Sequence, residues 1–157
     1  MIWDPGTPSQ LKVTEDAARA MRINVQALPV RVHPDLAHAF ELAKRDRAEA
    51  FNVLASPNLS SLQGQILDHV TRSRLPAIFQ WKEHAVAGGL MTYGPSLAAM
   101  WQQAGQMALK ILKGASPSTV PVEQPVKFEL VINVRTAKAL GVTVPRSLLL
   151  RADEVIQ

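Results

Sequence analysis

Seven polar or aromatic residues sit just after predicted strands, where they could bind a small molecule. They are Asp4, Ser56, Asn58, Gln80, Trp81, Tyr93 and Ser96. In an open parallel sheet, ligands bind beyond the strand carboxyl ends, where helix amino termini present N–H donors. Backbone N–H groups at 57–59 and 95–97 could hold a carboxylate, and Tyr93 or Trp81 could stack on a planar group. Small organic acids and amino acids fit this chemistry.

Each of these residues also has a purely structural explanation. Ser56 and Ser96 occupy positions where helix N-caps are expected, so their hydroxyls could serve the helix alone. Trp81 could cover a sheet edge, and Tyr93 could be a packed phenol at a strand end. Asp4 could cap the first helix or orient a ligand amine. The sequence leaves these alternatives open.

No pattern of residues predicts a metal site, a cofactor or catalysis. The chain has no cysteine, and His33, His38, His69 and His84 are not spaced as zinc ligands. We expect these histidines at the surface or at helix caps. There is no G-x-S-x-G elbow and no glycine-rich phosphate loop, and Gly88-Gly89 indicates a sharp turn before a strand. The sequence therefore predicts a protein that is not an enzyme and needs no cofactor.

The first 95 residues alternate short apolar runs with helical patterns, which is typical of βα units around a parallel sheet. The predicted strands are 1–3, 24–30, 50–55, 76–79 and 90–93. Apolar stripes at helical spacing separate them, for example Leu59, Leu62, Ile66 and Val70. We therefore predict an α/β fold with helices on both faces of a parallel sheet.

Four helices are predicted to begin where a capping residue precedes a proline. These pairs are Thr7-Pro8, His33-Pro34, Ser56-Pro57 and Gly94-Pro95, and Thr7 with Gln10 also fits a capping box. Proline suits the first turn because its fixed φ is helical and its missing N–H would have had no partner there.

The last third of the chain is predicted to hold one long helix and one more strand. Residues 96–113 form the strongest helical pattern, with a wide apolar face and Gly114 as the stop signal. Residues 115–121 are predicted as a connector and 126–132 as a strand with one buried face. A short helix over 135–140 follows, and Pro145 is predicted to start an irregular tail.

The segment from Gly88 to Ser96 and the tail beyond it resemble a known family. The stretches that carry the resemblance are 110–115, 121–133, 136–141 and 147–154. They resemble the substrate-binding proteins of bacterial ABC importers, in the subfamily typified by binders of aromatic amino acids and related small organic solutes. The resemblance implies a flavodoxin-like lobe of a type I periplasmic binding protein, whose ligand lies between two lobes.

The same resemblance implies how the chain is organised. Residues 1–95 would be the second-lobe βα domain, and 96–157 the crossover helix, returning strand and tail packed on that domain. The first lobe would be missing, which leaves the apolar face of helix 96–113 without its usual neighbour. The implied partners are a small solute and an ABC transporter permease, and the uncovered helix predicts a homodimer.

We carry three hypotheses for function forward. The first is the solute-binding component, or a fragment of it, that holds an amino acid or aromatic acid in the interlobe cleft. The second is a non-binding remnant that dimerises through the crossover helix. The third, an enzyme or nucleotide-binding domain of flavodoxin-like shape, rests on fold analogy alone.

The basic residues and the amino-terminal segment carry weaker signals. The net charge is +4, and the basic residues are spread over many segments with few aromatics between them, which does not indicate nucleic-acid binding. We expect them to lie on solvated faces. The resemblance implies a periplasmic protein, although residues 1–5 show no signal peptide pattern, so the chain as written predicts a cytoplasmic one.

Overall fold

Seven strands alternate with eight helices, and the computed structural model describes residues 1–157. The strands are β1 Ile2–Trp3, β2 Leu28–Pro29, β3 Phe51–Asn52, β4 Ala77–Phe79, β5 Met91–Pro95, β6 Phe128–Asn133 and β7 Glu154–Ile156. The helices are α1 Pro8–Ala20, α2 His33–Arg45, α3 Pro57–Ser61, α4 Gln63–Ser73, α5 Lys82–Val86, α6 Leu97–Leu112, α7 Val134–Leu140 and α8 Arg146–Leu149. The predicted α/β class is confirmed.

The strands form a mostly parallel arrangement. β3 to β7 pair in sequence order, and only the β5–β6 pair is antiparallel. β1 pairs in parallel with β2, and a parallel bridge between Ile2 and Val53 places β1 beside β3. The order 2-1-3-4-5 results, which is the strand order of flavodoxin-like sheets. β2 lies on one side of β1 and β3 on the other, so the strand order changes direction at the β1–β3 boundary.

The core lies under β1 to β4 and the helices α2, α3 and α4. Leu36, Phe40, Ile66 and Val70 recur at helical spacing on α2 and α4, and all are buried. They pack in one cluster with strand residues such as Phe51. The Phe40 and Phe51 rings lie 4.6 Å apart between centroids. The apolar stripes therefore cover the sheet as predicted.

Two of the four predicted proline helix starts need correction. His33 is not a cap, because α2 begins at His33 itself and the Asp35 carboxylate accepts the N–H groups of Arg31 and Val32 at 2.8 and 3.1 Å. Those two hydrogen bonds lower the pKa of Asp35. Pro95 does not open a helix either, because it ends β5 opposite Phe128.

The other two helices begin where predicted, but only one of them has the expected side-chain cap. Thr7 precedes Pro8 as predicted, but its hydroxyl donates to the Asp4 carbonyl at 2.9 Å and makes no capping bond. The predicted Thr7–Gln10 capping box is therefore wrong. Ser56 caps α3 as expected, since its Oγ accepts the Leu59 N–H at 3.0 Å.

The carboxyl-terminal third departs most from prediction. Val126 is 91% exposed and lies outside β6, whereas Val131 and Ile132, neighbours in sequence, are both buried. A strand with one buried face was therefore wrong, because successive residues of a strand point to opposite faces of the sheet and both faces of β6 are covered at Val131 and Ile132. The irregular tail was also wrong, because α8 and the paired strand β7 follow Pro145.

Helix α6 has no buried residue. Trp101 is 74% exposed and Leu112 is 83% exposed. The predicted apolar helix is thus present, and its apolar face is uncovered in the chain. None of the eight helices combines the length and apolar character that crossing a membrane requires.

Candidate functional site

A groove of about 540 Å³ opens at the carboxyl ends of β3, β4 and β5. The first turns of α1 form one wall through Ser9 and Gln10, while Gln80 and Tyr93 follow or end the central strands. The groove adjoins the topological switch point between β1 and β3, where the strand order changes direction. Open α/β sheets bind ligands at such points. The fold therefore places a concave surface at the edge that the sequence indicated.

A second groove, of about 640 Å³, continues from the first. The two share Gln10, Ala55 and Gln80, and the second adds Ser56 and Trp81. Tyr93 and Ser56 therefore lie on neighbouring parts of one continuous surface. Four of the seven candidate residues are brought together here: Ser56, Gln80, Trp81 and Tyr93.

The aromatic part of this surface comes from two antiparallel strands. Tyr93 on β5 pairs across the ladder with Leu130, and its ring lies 6.0 Å from the Phe128 ring on β6, with a 30° angle between the planes. Tyr93 is 59% exposed and Phe128 is 49% exposed. A packed phenol would be covered by the protein, so the structural alternative for Tyr93 does not describe this side chain.

Gln80 is held at the junction of the two grooves by a close backbone approach from β5. A Cβ added to Gly94 would lie 2.4 Å from the Gln80 carbonyl oxygen and 2.6 Å from its Cγ. Both distances are shorter than any real Cβ contact, so the Gln80 backbone can lie this close to residue 94 only if residue 94 is glycine. Gly94 is therefore a structural requirement of the groove.

His84 lies beneath the second groove, and its surroundings correct the expectation of a surface or capping histidine. It is buried and stacks on Phe79, with centroids 4.9 Å apart and planes 17° from parallel. Its Nδ1 lies 3.2 Å from the Trp81 carbonyl oxygen. Burial lowers the pKa of His84, although the hydrogen bond to Trp81 and the charge of Glu83 oppose that shift. The imidazole is thus a neutral packing group at physiological pH.

The other three candidate residues lie apart from the groove or serve the backbone. Asn58 Nδ2 donates to the Arg31 carbonyl at 3.0 Å, which ties α3 to the segment before α2. Asp4 Oδ1 accepts the Gly6 N–H at 2.9 Å within the turn before α1. Ser96 is buried, caps α6 through a long bond of 3.5 Å to the Ala99 N–H, and lines a different groove on α6.

Ser56 combines both of the roles that the sequence left open. It is 6% exposed and its Oγ accepts the Leu59 N–H, so it caps α3. It also lines the second groove beside Trp81. Its hydroxyl hydrogen has no acceptor among the hydrogen bonds of the chain, so it can still donate to a bound molecule.

Sequence reasoning missed three residues of the surface: Gln10, Phe128 and Trp101. Gln10 could have been found, because the first turn of a helix that follows a strand belongs to the same edge of the sheet. Phe128 could not, because its place depends on β6 running antiparallel to β5. Trp101 was treated only as part of an apolar helix face, although α6 starts beside the groove.

The groove carries little charge. Its first part is lined by no ionisable group other than the Tyr93 phenol, and the second part adds only Glu83 and His84. The α1 amino terminus faces the groove without a side-chain cap, and its Ser9 N–H has no helical partner, whereas the Gln10 N–H donates to the Thr7 carbonyl at 3.2 Å. A neutral polar groove beside a helix amino terminus suits an anionic group of modest size.

Comparison with protein families decides the identity. The model of the family described as ABC transporter substrate binding protein matches residues 1–156. The chain belongs to this family. The ABC substrate-binding proteins are a solute-binding family rather than an enzyme class, and they act outside the cytoplasmic membrane. A comparison with curated proteins finds no significant match.

Three solved structures share the fold of this chain. A conserved domain protein of Vibrio cholerae superposes with a TM-score of 0.89 at 19% identity, over 98% of this chain and 53% of that one. The ABC domain of Streptococcus pneumoniae in complex with L-Trp gives 0.87 at 22% identity, over 99% and 53%. A ligand-free, open substrate-binding protein with adhesive properties from Clostridium difficile gives 0.68 at 18% identity, over 99% and 52%. The chain spans about half the length of these structures.

Proposed function

We propose that this chain forms one wall of the solute-binding cleft of an ABC importer's substrate-binding protein. The solute we propose is a small organic molecule with a planar apolar part and a carboxylate, such as an amino acid or an aromatic acid. The observation that carries the proposal is the continuous groove at the carboxyl ends of β3, β4 and β5, which brings Gln80, Trp81 and Tyr93 to one surface.

The planar part of the solute would lie against the aromatic side chains. Tyr93 and Phe128 present two half-exposed rings at one end of the groove, and Trp81 presents an indole at the other. Offset or edge contacts between rings are worth about 0.5–1.5 kcal/mol beyond the buried area. A solute with an aromatic or other flat group gains from this surface.

The carboxylate would be held by dipoles rather than by a cation. No lysine or arginine lines either groove. The uncapped first turn of α1 supplies the Ser9 N–H, because the Gln10 N–H already donates to the Thr7 carbonyl at 3.2 Å, and the positive end of a 13-residue helix. The Gln80 amide and the Ser56 hydroxyl can add hydrogen bonds. Binding held by dipoles would depend only weakly on salt concentration.

The proposed cleft needs a second wall, supplied by another lobe, to enclose the solute. Clefts of this kind bury 70–90% or more of a small ligand, and an open groove on one domain cannot do so. We propose that residues 1–95 form the second-lobe βα domain and that 96–157 supply the crossover helix α6, the returning strand and the tail on the same domain. A permease outside this chain would receive the solute, at the outer side of the cytoplasmic membrane.

Calorimetry of this chain against L-tryptophan, other amino acids and benzoate tests the proposal. A single wall should bind the preferred solute only at millimolar concentration, and Gln80→Ala should weaken binding further. Gln124→Ala, a matched amide outside the groove, should leave binding unchanged. Micromolar binding by the chain alone would contradict the half-site, and a preference for sugars over planar acids would contradict the solute class.

Self-association through α6 is the second candidate, because this helix has no buried residue and exposes Trp101 and Leu112. A second copy could cover the apolar face, and the two copies would then form a homodimer. Light scattering at high concentration separates the candidates. A monomer at millimolar protein would remove the support for dimerisation and leave the solute-binding proposal intact.

A further inference from the structure

The end of the molecule opposite the groove carries a concentrated set of basic side chains. Because β1 to β5 run parallel, the helices α1, α2 and α4 all end beside the amino ends of the following strands. Helix α7 begins at the same end, since β6 runs antiparallel to β5. Nine exposed cations gather here, and together they define the basic face: Arg19, Arg22, Lys44, Arg45, Arg47, Arg72, Arg74, Arg135 and Lys138.

One groove joins the α4 and α7 parts of this face. Its lining includes Arg74 at the end of α4, Arg135 on α7, and Gly88 in the turn before β5. These residues are separated by many positions in sequence, so their shared groove shows directly that the two regions are neighbours. The Arg135 Nε donates to the Gln157 carbonyl at 2.6 Å, which places the end of β7 at the same edge.

Basic residues near helix carboxyl ends are common, because they interact favourably with the helix dipole. The helix dipole does not explain the backbone conformation of three of these arginines. Arg22, Arg47 and Arg74 have φ values of 57°, 56° and 52°, in the left-handed region that glycine adopts without strain. A non-glycine residue there costs on the order of 1 kcal/mol. Arginine occupies the strained turn at the end of three separate helices that point the same way.

Few ion pairs neutralise the basic face. Only two of its nine cations form one, Arg19 with Asp16 at 3.1 Å and Arg45 with Asp46 at 2.7 Å. The other seven cations have no carboxylate partner among the salt bridges of the chain. The whole chain has a net charge of only +4, yet these nine cations are more than half of its 17 lysines and arginines.

Apolar side chains are exposed among these cations. Met21 is 71% exposed and Ile23 is 57% exposed on either side of Arg22, and Val86, at the end of α5, is 62% exposed. The exposed aromatic rings, Tyr93, Trp101 and Phe128, all belong to the elements at the groove end. A nucleic-acid site would use aromatic stacking platforms, whereas aliphatic groups between arginines and lysines suit the interface of a lipid bilayer.

We propose that the basic face binds the surface of a bilayer that contains anionic phospholipid. The cations contact headgroup phosphates, and Met21, Ile23 and Val86 enter the boundary between headgroups and acyl chains. The basic face lies at the end of the sheet opposite the candidate groove, so this contact would leave the groove open and does not depend on the solute. It would hold the protein in a defined orientation against a membrane.

Vesicle sedimentation with the full chain tests this proposal. We expect binding to vesicles of phosphatidylglycerol and phosphatidylcholine, none to phosphatidylcholine alone, and loss of binding between 0.05 and 0.5 M salt, because screening shortens the reach of the charges. Replacing Arg22, Arg47 and Arg74 together by glycine should reduce the vesicle partition coefficient about 100-fold, because each cation removed weakens binding roughly fivefold. Glycine suits the left-handed turns, so this variant stays folded.

A matched control variant removes three positive charges that lie outside the basic face. Lys113→Gln, Arg146→Gln and Arg151→Gln together should change vesicle binding less than threefold. Equal losses in the two triple variants would overturn the proposal, because net charge and not the basic face would then control binding. Equal binding to neutral and anionic vesicles would also overturn it.

The aliphatic side chains separate lipid from nucleic acid. Met21→Ser with Val86→Ser should weaken vesicle binding several-fold and leave any binding to a DNA duplex unchanged, since both residues are exposed and the variant retains every cation. Tighter binding to a DNA duplex than to anionic vesicles at equal phosphate concentration would assign the basic face to nucleic acid and contradict the lipid proposal.

Discussion

Replacing Gly94 by alanine tests the geometry of the candidate groove most sharply. The new Cβ would lie 2.4 Å from the Gln80 carbonyl oxygen and 2.6 Å from its Cγ, where contacts of 3.4 Å or more are normal. The side chain of Gln80 can rotate away, but its carbonyl belongs to the backbone that follows β4. The strand ends must therefore separate by about 1 Å.

The cost follows from the inserted methyl group. Overpacking of a close-packed site costs typically about 1–3 kcal/mol. For a domain of this size, each 1 kcal/mol lowers the melting temperature by roughly 2–4 °C, so Gly94→Ala should melt about 2–12 °C below the parent chain. The same shift moves Gln80, so any solute binding should weaken as well.

Gly64→Ala is the matched control. An added Cβ at Gly64 would meet no atom within 4 Å, and the residue lies in the first turn of α4. Alanine favours helix over glycine, so the free energy of unfolding should rise by roughly 0.5 kcal/mol. Urea denaturation of both variants measures the difference. A Gly94→Ala protein as stable as the parent would refute the close approach of β5 to Gln80.

Three further predictions concern neighbouring residues. Ser56→Ala should lower the free energy of unfolding by about 1 kcal/mol in urea denaturation, because the α3 cap is lost; no change would show that the cap contributes nothing. Burial lowers the pKa of His84, so as the pH falls below about 6.5 the unfolded state takes up a proton there first, and stability falls from pH 7.5 to 5.5. His84→Phe retains the stacking on Phe79 and should flatten that dependence in urea titrations at both pH values; an unchanged slope would contradict the assignment. Trp101→Ala should change the melting temperature by less than about 2 °C, because an exposed side chain loses little packing; a large drop would show that α6 packs in solution.

Local patterns predicted the longest helix well but missed α5 and α8, and the single stripe from Leu59 to Val70 is divided between α3 and α4. The long helix was expected over 96–113 and is observed as Leu97–Leu112, because its apolar periodicity and the Gly114 stop are strong local signals. The strands were less well defined. Residues 24–30 were predicted as one strand, yet only Leu28–Pro29 pair. Whether a backbone pairs depends on its neighbour, and an extended apolar segment at a sheet edge carries the same pattern as a paired one.

The tail shows why nonlocal pairing was missed. Glu154–Ile156 has too few residues for a periodic signal, and it becomes a strand because β6 offers an edge beside it. The same β6, by running antiparallel, brings Phe128 to Tyr93 and completes the aromatic part of the groove. Both results depend on a strand direction that no local pattern encodes.

For the candidate residues, too, position along the sheet was easier to predict than the contacts of each side chain. Ser56, Gln80, Trp81 and Tyr93 follow or end different strands, and the structure brings them to one surface. Proximity to strand carboxyl ends could not tell that the Asn58 amide would bond to the backbone before α2. The basic face was invisible for a related reason, since its cations are spread through the sequence and only the common direction of the helices collects them.

Chemical-shift mapping by NMR tests the central claim most directly. Backbone amides of the chain would be followed during titration with L-tryptophan and with benzoate to about 10 mM. We predict millimolar binding with shifts gathered at residues 9–10, 55–57, 79–81 and 93–95. Shifts concentrated on α7 or the amino ends of the strands, or no shift with any planar acid, would contradict the claim that this surface is one wall of a solute cleft.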